Sequence, residues 1–221
     1  MKNILCYGDS NTWGFIPGSG KRYTEDIRWT GLLQRGLGHG YQVIEAGVNG
    51  RTTSFDDPFC NYLNGWRSLP YSLLSAKPVD LLIISLGTND LKFTDARGSS
   101  KGIEAIINLA LSLDTIFSGM DQGGIFNAVP KILVIFPISL HPEINTRSPP
   151  SSMASKYGES LKFRDFYQPV CEKKHVNSLD GALFATASPV DCTHMDAEGH
   201  RALGMAVLVK VKELLDHSTE R

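Results

Sequence analysis

Apolar residues along this chain fall into two patterns, short unbroken runs and longer stretches with helical spacing. Residues 81–86 read Leu-Leu-Ile-Ile-Ser-Leu and 131–136 read Lys-Ile-Leu-Val-Ile-Phe. Both are continuous rather than alternating, as strands covered on both faces are. Residues 4–7 form a similar run that stops at Gly8, and 41–46 carry Val43 and Ile44 before Gly47. A weaker strand is predicted over 175–179. Between the runs, Leu32, Leu33 and Leu37 predict a helix over 28–37. Ile103, Ile106, Ile107, Ala110, Leu111 and Leu113 predict another over 101–117. Further helices are predicted over 155–174 and 197–215.

Strands alternating with helices imply βαβ crossovers and a parallel sheet with helices on both faces. Five strands make a three-layer, doubly wound α/β/α fold. No internal repeat or linker divides the chain, so residues 1–221 are read as one domain. The Pro- and Ser-rich stretch 141–155 is too short for a linker and reads as a surface loop.

In such a sheet, functional groups gather beyond the carboxyl ends of the strands. The polar turns of this sequence fall there. The first strand runs into Gly8-Asp9-Ser10-Asn11-Thr12, the second into Gly47-Val48-Asn49-Gly50-Arg51-Thr52-Thr53, and the third into Gly87-Thr88-Asn89-Asp90. Asp191-Cys192-Thr193-His194 precedes the last helix.

Charge narrows what such a site would bind. The 22 basic and 23 acidic residues give a net charge of −1, no electrostatic footprint for nucleic acid and no polybasic run for an anionic membrane. A small or neutral substrate suits this balance. The chain has no uninterrupted apolar run of membrane-spanning length and no signal-peptide core at its start, which makes a cytoplasmic location the expectation. Cys6, Cys60, Cys171 and Cys192 have no short-range pairing pattern, and Cys6 reads as a small core residue.

A serine hydroxyl becomes a nucleophile when a base takes its proton, and imidazole is matched to that task near neutral pH. Ser10 and His194 supply the pair. Asp191, three residues before His194, is placed to hold the ring and stabilise the imidazolium. The tetrahedral intermediate needs donors for its oxygen, which the N–H of Ser10, the N–H of Gly50 and the amide of Asn89 could supply. Gly50 is preferred to Gly47 because Gly47 ends a strand. Taken singly, Ser10 reads as a helix N-cap, Asn89-Asp90 as a turn and His194 as a surface histidine; their order in one chain is what argues otherwise. His200 is given no catalytic role.

The blocks Gly8-Asp9-Ser10, Gly50, Gly87-Thr88-Asn89-Asp90 and Asp191-x-x-His194 resemble those of the SGNH (GDSL-type) hydrolases. Gly8-Asp9-Ser10-Asn11-Thr12-Trp13-Gly14, Arg28-Trp29-Thr30-Gly31 and Gly50-Arg51-Thr52-Thr53 look like its arylesterase/acyltransferase branch. The resemblance implies a flavodoxin-like fold, no cofactor or metal, and hydrolysis of small esters, with acyl transfer to alcohols in some relatives. It also implies possible homo-oligomers. Asn11 stands where the family name has Leu, which points to an altered pocket. Trp13, Phe15, Trp66 and Phe93 are further pocket candidates, and 141–157 a candidate rim.

Other signatures fail. Gly-x-Ser-x-Gly would need glycine where Thr12 stands. The phosphate loop near Gly20-Lys21 has Phe15 in place of its first glycine and Arg22 in place of Ser or Thr. Tyr41 holds the third glycine position of a dinucleotide pattern at Gly36-Leu37-Gly38. No His-Glu-x-x-His zinc motif occurs. On the same triad, a thioesterase, a lysophospholipase or a carbohydrate acetylesterase are alternatives, and a non-catalytic FMN- or phosphate-binding domain is the rival of another class.

Overall fold

In the computed structural model, which describes residues 1–120 and 123–216, the apolar runs become the strands of one parallel sheet. The chain runs β1 (Lys2–Gly8), α1 (Ser10–Trp13), α2 (Trp29–Leu37), β2 (Tyr41–Gly47), α3 (Gly65–Ala76), β3 (Leu81–Ser85) and α4 (Ala96–Gly119). It continues through β4 (Ile132–Phe136), α5 (Tyr157–Ser160), α6 (Phe163–Lys174), β5 (Asn177–Asp180) and α7 (Ala197–Asp216). The strand order is β2-β1-β3-β4-β5, with every neighbouring pair parallel. This is the expected three-layer α/β/α arrangement.

Alternate residues of each strand feed two separate cores, as a period of two requires. Leu5, Tyr7, Leu82, Ile84, Val134 and Phe136 pack with the buried stripes of α3, α4 and α6. Ile4, Cys6, Leu81, Ile83, Leu133 and Ile135 pack with Trp29 and Leu33 of α2 and with Leu203, Val207 and Val211 of α7. Each fully buried side chain of this size contributes about 1.5–3 kcal/mol. Emptying one position, as in Leu33→Ala, is expected to cost about 2–5 kcal/mol.

The chain leaves β1 toward β2 on one side and returns to β3 on the other. The sheet therefore changes direction between β1 and β3, where the doubly wound rule places a site.

Several elements differ from expectation. Helix α3 lies outside the expected elements, because Pro70 interrupts its apolar pattern. It forms because Asn64 accepts the Arg67 N–H (3.2 Å) and because Leu69, Leu73 and Ala76 are buried. The helix predicted over 155–174 is broken into α5 and α6. There Ser160 Oγ donates to the Tyr157 carbonyl (2.6 Å) and accepts the Leu140 N–H (3.1 Å), while the Lys162 N–H closes a tight turn on Glu159. The last strand is shifted, because His175 takes a left-handed conformation (φ 53°) to cap α6.

Helix α4 begins a turn earlier than its apolar stripe, capped by Asp95. Among the described residues it alone is long and apolar enough to cross a bilayer. Its Ile103, Ile106, Ile107 and Ala110 lie instead in the core. All four cysteines are unpaired.

Candidate active site

The paired strand ends Gly8 and Gly47 let the chain turn tightly over the sheet. A Cβ on Gly8 would lie 2.0 Å from Thr12 Oγ1, and one on Gly47 would lie 2.3 Å from the Trp13 nitrogen. Helix α1 can therefore rest on the ends of β1 and β2. Asp9, rather than Ser10, is its N-cap and accepts the Asn11 N–H at 2.9 Å. Ser10 thus sits at the first helical position, where an N–H has no intrahelical partner. Among the described residues, no protein group accepts the N–H of Ser10 or of Gly50.

The three residues expected to act together meet. Ser10 Oγ lies 2.9 Å from His194 Nε2, and His194 Nδ1 lies 2.8 Å from Asp191 Oδ2. Asp191 also accepts the N–H groups of Thr193 (3.1 Å), His194 (2.9 Å) and Gly18 (3.0 Å). Burial opposes its ionisation, but the hydrogen bonds from His194 and Thr193 and the imidazole's charge outweigh that, lowering its pKa to about 2. Cys192, between the two triad members, is buried and takes a left-handed conformation (φ 63°).

The second arm of the site comprises 48–53 and 87–90. Gly47 ends β2, and Gly50 adopts φ 83°, a conformation that favours glycine. Arg51 anchors this loop. Its Nη1 donates to the carbonyls of Gly8 (2.9 Å) and Ala46, and its guanidinium lies 4.1 Å from the centre of the Tyr7 ring. Asn89 Nδ2 donates to the Arg51 carbonyl at 3.1 Å, which leaves its second amide hydrogen for another acceptor.

Asp90 locks the two segments together. It accepts the Thr53 N–H (2.8 Å), the Thr53 hydroxyl (2.7 Å) and Ser99 Oγ (2.6 Å), and Ser99 in turn pairs with the Tyr167 hydroxyl (2.6 Å). Burial pushes its pKa up to about 6, against the hydrogen bonds from Ser99 and Thr53. Burial likewise pushes Asp9 up to about 6, against the Asn11 N–H and the charges of His194, Arg51 and Lys92. The supporting roles of Arg51 and Asp90 were missed in the sequence. Their partners lie up to 43 residues away, beyond any local spacing signal.

The pocket candidates separate. Phe15 stacks on His194 with ring centres 4.2 Å apart and planes at 26°. Trp13 lies 6.2 Å from Phe15 and carries the Arg22 guanidinium over its ring. Trp66 on α3 and Phe93 after residues 87–90 are exposed beside the second arm, their N–H groups bonded to the carbonyls of Thr53 and Asp90, and neither ring stacks on the triad. Asn11 is buried, and its amide is spent on backbone beside His194. The 141–157 segment packs against the triad loop. The His141 N–H donates to the Cys192 carbonyl (3.0 Å), and Arg147 donates to the Val190 carbonyl (2.7 Å). His200 is fully buried, accepts the Trp29 N–H at 3.3 Å, and has its pKa lowered to about 4 chiefly by burial.

Residues 6–202 match the family described as GDSL-like Lipase/Acylhydrolase. Comparison with curated proteins by sequence gives no match. Among solved structures, the native M. smegmatis aryl esterase is 31% identical, with a TM-score of 0.86 over 97% of this chain and 100% of that one. A carbohydrate acetylesterase from Sinorhizobium meliloti is 32% identical, with a TM-score of 0.86 over 97% and 100%. A carbohydrate acetylesterase family member from the same organism is 34% identical, with a TM-score of 0.87 over 98% and 100%.

Proposed function

The chain belongs to the GDSL-like lipase/acylhydrolase family and is a carboxylic ester hydrolase; we propose that it cleaves small esters through an acyl-enzyme on Ser10. The observation that carries this reading is the unbroken contact from Ser10 Oγ to His194 Nε2 (2.9 Å) and from His194 Nδ1 to Asp191 (2.8 Å).

His194 Nε2 takes the hydroxyl proton as Ser10 Oγ bonds to the ester carbonyl carbon. The oxygen that becomes negative is met by the N–H groups of Ser10 and Gly50 and by the free amide hydrogen of Asn89. Collapse of the intermediate breaks the bond to the alcohol, which leaves with the proton from His194. Water then repeats the sequence and frees the acid; a second alcohol in place of water would give a new ester. Asp191, held ionised by its donors, fixes the ring and balances the imidazolium.

The likeness to carbohydrate acetylesterases favours a short acyl group, and the likeness to an aryl esterase favours an aromatic leaving group. The aromatic wall of Phe15 and Trp13 beside His194 suits a planar leaving group or the face of a sugar ring. A phosphate-binding role is disfavoured. The Asp9 carboxylate already takes the Asn11 N–H at the start of α1, leaving an acid where a phosphate would sit. A cytoplasmic protein acting on small molecules remains the reading of its charge and sequence.

The test is a panel of p-nitrophenyl esters from acetate to decanoate beside acetylated sugars. The expected kcat/KM is highest for two- to four-carbon acyl groups. Rates that climb to the longest chain would instead indicate a lysophospholipase-like enzyme, and no turnover of any ester would refute the reading.

A further inference from the structure

Resting on the triad reading, the geometry points to Asn11 as a positioning residue, a side-chain strut that sets the distance between Ser10 and His194. Its amide brackets the histidine. Asn11 Oδ1 accepts the N–H of Met195 (3.0 Å), and Nδ2 donates to the carbonyl of Thr193 (3.4 Å), one residue to each side of His194. The residue beside the nucleophile therefore holds the backbone on both sides of the base.

The strut is itself fixed at three points. Its N–H donates to Asp9 (2.9 Å), its carbonyl accepts the indole N–H of the fully buried Trp29 (3.1 Å), and its own side chain is buried. By contrast, most of the other ties around His194 are internal to its loop or lead away from Ser10. The His194 carbonyl accepts the Ser188 N–H (2.8 Å), and the Cys192 N–H donates to the Ser188 carbonyl (2.8 Å). These bonds shape the loop without setting where it sits relative to α1. The Phe15 ring stacked on His194 (4.2 Å) and the Gly18 N–H to Asp191 (3.0 Å) also cross between the halves, but they come from five and eight residues beyond the nucleophile and neither holds the backbone beside His194. Leucine, the residue of the family name at this position, has similar bulk and neither a donor nor an acceptor. The triad segment of this chain is thus held by a polar clamp that leucine could not make.

The test compares Asn11→Leu and Asn11→Asp with the wild type. The readouts are steady-state kinetics on a short aryl ester, the rate of Ser10 phosphonylation by a fluorophosphonate, and thermal unfolding. Asn11→Leu removes both bonds. It is expected to lower kcat and the phosphonylation rate together by roughly 10- to 100-fold, with KM within about twofold, because misplacement of the base by a fraction of an ångström falls on the chemical step. Asn11→Asp keeps the acceptor for Met195 and is expected to recover part of that loss. A folded Asn11→Leu enzyme with wild-type kcat overturns the inference, as does a loss confined to KM. If Asn11→Leu does not fold, Asn11→Asp decides: a reduced kcat at unchanged KM supports the strut, and wild-type kcat overturns it. Absence of labelling at Ser10 in the wild type would instead strike the proposed function, which separates the two failures.

Discussion

Asp191 and Asp90 are both aspartates that collect several hydrogen bonds, yet their proton affinities move in opposite directions. Asp191 gathers three backbone N–H groups and the ring of His194 at a partly open position, and its pKa falls to about 2. Asp90 gathers one N–H and two hydroxyls with no solvent exposure, and its pKa rises to about 6. The number of donors does not decide the outcome. The donors around Asp191, the His194 ring among them, and residual solvent favour its charge, while complete burial penalises it at Asp90. The first arrangement suits a group that must stay ionised beside a base. The second suits a bolt between two loops, where shape matters more than charge.

That contrast is broken most severely on the triad side. Asp191→Asn is expected to lower kcat by about 10³- to 10⁴-fold with only a modest loss of stability, because it removes the charge and permits the wrong ring tautomer. Asp90→Asn is expected to do the reverse. It turns one acceptor into a donor facing hydroxyl and N–H groups, costing about 1–3 kcal/mol of unfolding free energy, with a fall in kcat of about tenfold or less. Steady-state kinetics and urea unfolding on both variants check the pair; similar profiles would erase the distinction. Between these extremes, Asn89→Ala removes one proposed oxyanion donor and should lower kcat by about 10²-fold with little change in KM.

The smallest expected effect sharpens the contrast through pH. A free aspartate titrates near pH 4. Asp191, lowered to about 2, contributes stability that is present above pH 4 and lost as pH falls toward 2. Asp90, raised to about 6, contributes stability that is complete below pH 4 and lost as pH rises through 6, in the same window as Asp9. The cost of Asp90→Asn should therefore be larger at pH 4.5 than at pH 7.5. The cost of Asp191→Asn should not shrink until the pH drops below about 4. Urea titrations at these pH values give the sign directly.

The triad was legible in the sequence because its chemistry depends on residue type and on position after a strand. Ser10, Asn89, Asp191 and His194 each follow a strand or precede a helix that the apolar pattern locates. Strands β3 and β4 were equally plain from their continuous apolar runs. Helix α3 was hidden by Pro70, and α1 is too short, at four residues, to show any period. The bolts and struts were invisible for another reason. Arg51, Asp90 and Asn11 act through side-chain contacts to distant backbone, which no local spacing encodes. Asn11 is the instructive case, since its departure from leucine suggested a changed pocket and its amide bonds the backbone on both sides of His194.

The central claim is that Ser10 is the nucleophile activated by His194 and Asp191, and covalent capture tests it most directly. An alkyl fluorophosphonate should form one Oγ–P bond with loss of fluoride. Intact-mass and peptide analysis should then find a single adduct on the peptide carrying Ser10, absent in Ser10→Ala and slowed at least about 10³-fold in Asp191→Asn. An adduct on any other residue, or ester turnover by Ser10→Ala at the wild-type rate, would contradict the account.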